Sequence, residues 1–355
     1  MIRHRRPWFI TILLAAAVAL ASCGSGATAV PPAATATTVP VLASPLPATA
    51  TTAPATAVPS TALPATATLV PAPPTAATIT LVDSLSRTVT LAGPARHVVS
   101  LAPSNTEILY ALGADAVVAG RDDFSDYPPQ ATQVPSIGSD SPHVNAEAIV
   151  ALHPDLVLAA GITSPDDVAA LAKLGLTVYA TSNAANLDDI YKDILAVGTL
   201  VGAADKANAL VNSMRVRIDA VSTKAATASQ HPIVFYELDA TDPAKPWTAG
   251  PGSFVDQLIT LAGGTNAGNI AKEQYVQLSL EQIVSENPDI IVLGSATFGG
   301  QTPALVAARP GWQGIKAVKN HAVYTFDDNL ISRPGPRVVD GLEKLAALIH
   351  PETFK

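Results

Sequence analysis

Cysteine is almost missing from this chain of 355 residues, which contains only Cys23. A single thiol excludes a disulfide within one molecule and any zinc or iron–sulfur site built from thiolates. Charge is sparse too, at 14% Asp, Glu, Lys and Arg, and aromatic residues make up 5%, so each ring near a concave surface carries weight. The formal net charge is −8 and the basic residues form no stripe. Phosphate recognition needs clustered Lys and Arg, so nucleic acid is excluded as a partner. Catalytic signatures are missing as well: there is no G-x-S-x-G, no P-loop, no H-E-x-x-H, and no G-x-G-x-x-G following a strand. None of the seven histidines pairs with another at the helical spacing of metal ligands. These absences point away from an enzyme and from a resident metal or cofactor.

What is present begins with an export signal. Arg3, His4, Arg5 and Arg6 precede an uncharged run from Trp8 to Ala21. As a helix that run spans only ~21 Å, too short to cross a bilayer, so residues 1–22 read as a cleaved signal peptide. The run ends in Leu20-Ala21-Ser22-Cys23, which resembles a bacterial lipobox. That resemblance implies lipidation at Cys23 and an extracytoplasmic protein anchored to the outer face of the cell membrane. Without the three signal arginines the balance is 18 basic against 29 acidic residues, a net charge of −11. From Gly24 to Val82 there is no charged and no aromatic residue, only Ala-, Thr-, Pro- and Val-rich near-repeats. Such a segment buries too little surface to offset its ordering entropy, and its prolines favour extended polyproline II. Residues 23–78 are therefore expected to form a disordered, semi-stiff tether.

From Ile79 onward, short Val/Ile/Leu runs alternate with helical patterns, the mark of an α/β fold. Strands are expected at residues 97–101, 117–119, 155–159, 177–181, 233–237, 289–293 and 322–326. Ser104-Asn105-Thr106-Glu107 reads as a capping box opening a helix that Gly113 ends. Ser164 followed by Pro165, Asp166 and Asp167 opens another. Helical patterning covers residues 187–201, and after Gly202 an unbroken stretch runs from Ala204 to about Ala228. The last helix, Pro336 to Ile349, gathers its apolar residues on one face. The expected layout is an N-terminal α/β lobe over residues 79–186, connecting helices over 187–229 and a C-terminal α/β lobe over 230–355.

The chain also repeats itself. Residues 147–155, EAIVALHPD, match residues 281–289, EQIVSENPD, with five identities in nine at a constant offset of 134. Each copy reads as a short helix, a Pro-Asp turn and a buried strand. Glu147 and Glu281 hold equivalent places in separate copies, so they belong to opposite lobe tips and are too far apart for joint acid–base chemistry. Each is expected to point outward, just before a buried Ile-Val pair.

Six segments, in order, resemble the iron-siderophore and cobalamin class of ABC-importer binding proteins: SLAPSNTEILYALG at Ser100, DYPPQ at Asp126, VNAEAIVALHPDLV at Val144, WTAGPGSFVDQLITLAGGTN at Trp247, YVQLSLEQIVSENPDIIV at Tyr275 and SRPGPRVVDGLEKLA at Ser332. The resemblance covers residues 96–351. It implies two Rossmann-like lobes joined by a single long helix (the class III periplasmic binding protein fold), with a ligand between them and no catalysis. Cobalamin-binding members match best. Carried over residue by residue, Phe124 and Tyr275 are implied stacking platforms, Pro103 and Ser104 belong to the first cleft loop, and Asn329 and Arg333 are implied polar contacts. Ser141 and Ala160 stand where those members have tryptophans, and Asn329 replaces an aspartate. The resemblance further implies that Glu147 and Glu281 dock onto arginines of the two permease subunits of an ABC importer, one per lobe of a monomer.

Other ligands of the same class make their own demands. A ferric siderophore needs cationic cleft residues, for which Arg121, Arg309 and Arg333 are candidates. Haem needs an axial ligand, for which Tyr127 and His143 are candidates. Arg337 is expected to cap or pair within the last helix. A cell-surface adhesive lipoprotein is the rival reading from another class; it accounts for the tether but not for a duplicated α/β pair.

Overall fold

The computed structural model describes residues 77–139 and 143–355. The signal peptide, Cys23, nearly all of the tether and Ser141 lie outside them. The described chain opens with a hairpin, β1 (Ile79–Val82) and β2 (Thr88–Leu91). The first lobe then follows: β3 (Val98–Ser100), α1 (Pro103–Ala111), β4 (Val118–Arg121), α2 (Ala146–Ala151), β5 (Leu156–Ala159), α3 (Pro165–Lys173) and β6 (Val178–Ala180). Its four strands are all parallel, in the order β4-β3-β5-β6. The central strand β5 is buried at every position, as expected for a sheet covered by helices on both faces. The hairpin shields the β6 edge: Ser84 N donates to Ala180 O at 3.0 Å and Arg87 Nη2 to Val178 O at 2.9 Å, which occupies backbone groups that would otherwise template aggregation.

Two helices carry the chain across, α4 (Leu187–Leu200) and α5 (Ala204–Ala225). At 22 residues, α5 is ~33 Å long. It stops three residues short of the sequence expectation, where the Thr227 hydroxyl donates to the Lys224 carbonyl at 2.7 Å. The second lobe comprises β7 (Ile233–Asp239), β8 (Trp247–Ala249), α6 (Phe254–Leu261), β9 (Thr265–Asn266), β10 (Tyr275–Gln277), α7 (Leu280–Glu286), β11 (Ile290–Leu293), α8 (Ser295–Gly299), α9 (Pro303–Ala308), α10 (Lys316–Lys319), β12 (Val323–Thr325) and α11 (Val338–Ile349). Its sheet runs β10-β8-β7-β11-β12, with β9 also on β7. The inner strands are parallel, whereas β8 and β10 pair antiparallel.

One apolar core runs unbroken through both lobes, from Val98, Ile108 and Leu156 through α4 and α5 to Tyr236, Val292 and Leu342. Separate clusters fill the outer face of each sheet. The α5–α11 contact is clamped by Arg217, whose guanidinium donates to both oxygens of Glu343 and to Asp340.

The repeat is visible atom by atom. At the offset of 134, β5 matches β11 residue for residue and α2 matches α7 from its first residue, with α7 one residue longer. His153 (φ 47°) and Asn287 (φ 46°) are equivalent and both left-handed, a conformation uncommon outside glycine. The Asp after each proline does the same work twice. Asp155 accepts from Arg96 N (2.7 Å) and His97 N (3.0 Å) at the entry to β3, and Asp289 accepts from Ile233 N (2.9 Å) at the entry to β7. Ile149 and Ile283 are both buried, but Val150 and Val284 are 39% and 42% exposed. The expected buried Ile-Val pair is thus a buried Ile beside an exposed Val, because one helical turn cannot point adjacent residues the same way.

Asp155→Ala and Asp289→Ala should each lower unfolding free energy by about 1–2 kcal/mol, as a charge-assisted bond at a strand entry is lost. The double variant should lose the sum, because the sites share no partner. Urea unfolding monitored by circular dichroism measures this, and an unchanged midpoint in both singles would refute the strand-entry role.

Candidate ligand-binding cleft

The carboxyl ends of both sheets face one cleft of about 540 Å³, within the range of small-molecule sites and where open α/β sheets bind ligands. Residues 101–104 follow β3, Asp122 and Phe124 follow β4, 160–162 follow β5, and 182–183 follow β6. The second lobe contributes Leu238 near the end of β7, Tyr275 on β10, Phe298 on α8, and Asp328, Asn329 and Arg333 after β12. All six residues expected to line a ligand site (Pro103, Ser104, Phe124, Tyr275, Asn329 and Arg333) are therefore on its wall.

The first-lobe loops are held from beneath by polar side chains. The anticipated capping box at Ser104–Glu107 does not form: α1 starts at Pro103 with Ala102 as its N-cap and no capping side chain. Proline suits the first helical turn, which moves those four polar residues inside the helix, and all four are buried. Asn105 Nδ2 donates to Ala159 O at 2.9 Å while its Oδ1 accepts from Thr181 Oγ1 at 3.0 Å, joining the ends of β5 and β6. The Thr106 hydroxyl bonds Ser100 Oγ and Ser125 Oγ, each at 2.8 Å. Asp122 accepts from Phe124 N at 2.9 Å and from the Ser125 hydroxyl, which sets the turn presenting the Phe124 ring, 55% exposed.

Glu107 joins the lobes. Arg337 grips its two oxygens through Nε and Nη2, and Arg333 Nη1 reaches it at 3.2 Å. Arg333 also donates to Asp126 Oδ1 (2.7 Å) and to Phe124 O (3.1 Å). Arg333, expected to project from its extended position before Pro334, lines the cleft but is only 8% exposed, with Nη1 and Nη2 both engaged across the lobes. Arg337, expected to serve its own helix, does the same and stacks over the Tyr127 ring at 3.9 Å.

On the facing wall, Asp328 accepts from Tyr236 Oη at 2.7 Å. Burial pushes the Asp328 carboxyl above its ordinary range, with Asp327 adding to the shift. Burial, and then Asp328, likewise raise the Tyr275 phenol. Asn329 donates its amide N–H to Asp327 Oδ1 at 3.0 Å, which fixes the flip of the amide and leaves Oδ1 buried with no partner. Beneath the 182–183 loop, Asp193 on α4 accepts from Ser182 N and Oγ, and burial pushes its carboxyl up to about 6. Among the described residues no group of three or more His, Cys, Asp and Glu gathers as metal ligands. Glu147 and Glu281, in the first turns of α2 and α7, are both exposed.

A family model described as a periplasmic binding protein matches residues 98–330. The chain belongs to that family. An uncharacterized ABC transporter substrate-binding lipoprotein of Bacillus subtilis (strain 168) is 38% identical over 280 residues, 77% of this chain and 86% of its own length. A cobalamin-binding protein of Halobacterium salinarum is 32% identical over 278 residues, 77% of this chain and 74% of its own. The structure of an apo periplasmic heme-binding protein from Roseiflexus sp. RS-1 overlays with a TM-score of 0.66 at 26% identity, covering 73% of this chain and 99% of that one. The protein is thus an extracytoplasmic solute-binding component of an ABC importer with the class III fold, in a family of transport rather than catalytic parts.

Sequence reasoning did not find Ile162 and Phe298, 69% and 71% exposed on the cleft wall. Their signal was available: each follows the strand of one repeat copy, at the carboxyl end where ligands bind.

Asp193 gives a pH signature. A carboxyl raised in the folded state contributes stability that is complete below the ordinary carboxylate range and lost as pH climbs through about 6. Asp193→Asn keeps an acceptor for Ser182 and removes the titration. Its melting temperature relative to the parent should rise between pH 4 and 7 and then level; a constant difference across that window would rule the shift out.

Proposed function

We propose that the protein captures a cobalamin-type corrinoid in this cleft and delivers it to an ABC importer permease. The observation that carries this reading is that the cationic groups an anionic chelate needs are already engaged. Arg333 is bound to Glu107, Asp126 and Phe124 O. Arg309 lies buried against Glu237 and over the Trp312 ring at 4.6 Å. Arg121 donates to the carbonyls of Ala131 and Asp122 at 2.9 and 2.7 Å. The cleft wall instead carries two acceptor-bearing residues, Asn329, whose side-chain oxygen is buried without a partner, and Asp328. A neutral macrocycle fringed with carboxamides supplies N–H donors to them, whereas haem propionates and ferric siderophores bring more acceptors. Haem meets a second obstacle. Tyr127 and His143 do not line the cleft, and His143 pairs with Asp167 at 3.1 Å. Phe124 and Tyr275 act as stacking platforms on this reading, with Pro103, Ser104 and Asn329 beside them and Arg333 holding the wall.

Calorimetric titration of the purified protein with cyanocobalamin, a ferric hydroxamate and haemin should give 1:1 binding for the corrinoid alone. Replacing Phe124 and Tyr275 together by Ala should weaken it by about 2–3 kcal/mol, or roughly 30- to 150-fold. Tight binding of haemin or the ferric chelate and none of cobalamin would transfer the site to that ligand.

Delivery places Glu147 and Glu281 on the permease. Both are exposed identities of the repeat, one per lobe, and suit charge-assisted pairing with arginines on two subunits of the transporter. Cys23 carries the lipid anchor, residues 23–78 are the tether, and residues 187–229 join lobes 79–186 and 230–355. In uptake assays, Glu147→Ala with Glu281→Ala should abolish import while corrinoid affinity is unchanged, and Cys23→Ser should release the protein from membranes. Normal import by the double variant, or membrane retention of the Cys23 variant, would overturn the corresponding assignment.

A further inference from the structure

The segments leaving β5 and β11, the equivalent strands of the two repeat copies, each carry a large apolar side chain onto the cleft wall, Ile162 from a turn and Phe298 from α8. Ile162 and Phe298 are the two most exposed large apolar residues among those described, at 69% and 71%, and both line the cleft. An exposed apolar pair at a concave site marks a surface that a partner covers.

Neither segment is loose. The Ile162 turn is closed by Thr163, which is buried: its N–H donates to Ala160 O at 2.8 Å and its hydroxyl accepts from Ala160 N at 3.3 Å. At Gly161 an added Cβ would lie 2.4 Å from the Asn183 backbone, so the turn is pressed against the neighbouring cleft loop. On the other side, Ser295 Oγ donates to Glu237 Oε1 at 2.7 Å, and Glu237 is itself held by Arg309. Thr297 Oγ1 donates to Phe326 O at 3.1 Å and accepts from Asp328 N at 2.9 Å. Gln301 accepts from Arg309 at 2.9 Å. The backbone is thus bound into the lobe on both sides of Phe298, and the space around Gly299 and Gly300 is open. A fixed backbone bearing an unpacked apolar side chain is pre-organised for contact, since little entropy remains to be lost on binding.

We propose that Ile162 and Phe298, which follow the equivalent strands β5 and β11, are a pair of jaws that grip the apolar periphery of a flat macrocycle from the two lobes. They determine its affinity alongside the Phe124 and Tyr275 platforms. This rests on the reading of the cleft as the chelate site. Both side chains are solvated in the free protein, so removing them leaves folding stability intact and acts on the ligand alone.

The test compares the full-length protein with Ile162→Ala, Phe298→Ala, the double variant and Phe298→Trp. Cyanocobalamin and haemin serve as probes. Each single alanine should weaken cyanocobalamin binding about tenfold and the double about a hundredfold, with melting temperatures unchanged. Phe298→Trp should hold affinity within about threefold and add an indole emission that the bound corrinoid quenches, a signal that a structural residue would not give. Unchanged affinity in the double variant while the parent binds cobalamin would overturn the jaws and leave the cleft assignment standing, as would lost import with affinity intact, which would move Phe298 to the transporter contact. A parent that binds haemin and not cobalamin would overturn the corrinoid reading; the jaws then stand if haemin quenches the new indole and the double variant loses haemin affinity, and fall if neither occurs.

Discussion

Both oxygens of Glu107 are held by arginines more than two hundred residues away in sequence, and only 2% of its side chain meets solvent. The geometry of the cleft depends on this carboxylate. Arg333 and Arg337 reach it from the second lobe, and Arg333 continues to Asp126 and the Phe124 carbonyl. The same contacts that join the lobes therefore also hold the turn that presents Phe124. Replacing such a buried cluster with well-packed apolar residues is often neutral for stability, whereas removing one partner costs about 3–5 kcal/mol by leaving a buried charge uncompensated. Its physical value here is registry. Directional hydrogen bonds hold the two walls at one separation, which apolar contact alone does not specify.

That separation is set against a core that does not stop at the lobe boundary. α4 and α5 belong to the same apolar cluster as the inner faces of both sheets, so the connection is packed rather than hinged. Arg217 clamps α5 to α11 from outside through Glu343, which comes first among the causes raising the guanidinium above its ordinary range, and through Asp340. The lobes are thus fixed on the spine side by apolar burial and at the cleft side by ion pairs. Where one kind of force fades, at the solvated end of the core, the other takes over.

The main strands and helices were legible in the sequence because each is a short apolar run or a strong 3.6-residue pattern between Gly, Pro and capping residues. Ser164 does cap its helix by accepting from Asp167 N at 3.0 Å, and the nine-residue repeat reports true structural equivalence. The hairpin β1–β2 and the short strands β8, β9 and β10 were not legible, since two to four residues show no reliable period. Ser104-Asn105-Thr106-Glu107 misled because a capping pattern is local, whereas these side chains are claimed by groups far along the chain. Arg333 was placed correctly on the cleft but its partners were invisible, because an extended arginine before proline looks alike whether it meets a ligand or a buried glutamate. Ile162 and Phe298 were not singled out; only the strand ends preceding them mark their position.

The engaged state of Arg333 and Arg337 also bears on timing. Ion pairs that already join the walls oppose any change in their separation, so entry to the cleft is governed by diffusion and by shedding water from the apolar wall. A transporter that empties such a cleft by parting the lobes must supply the work of separating Glu107 from Arg333 and Arg337.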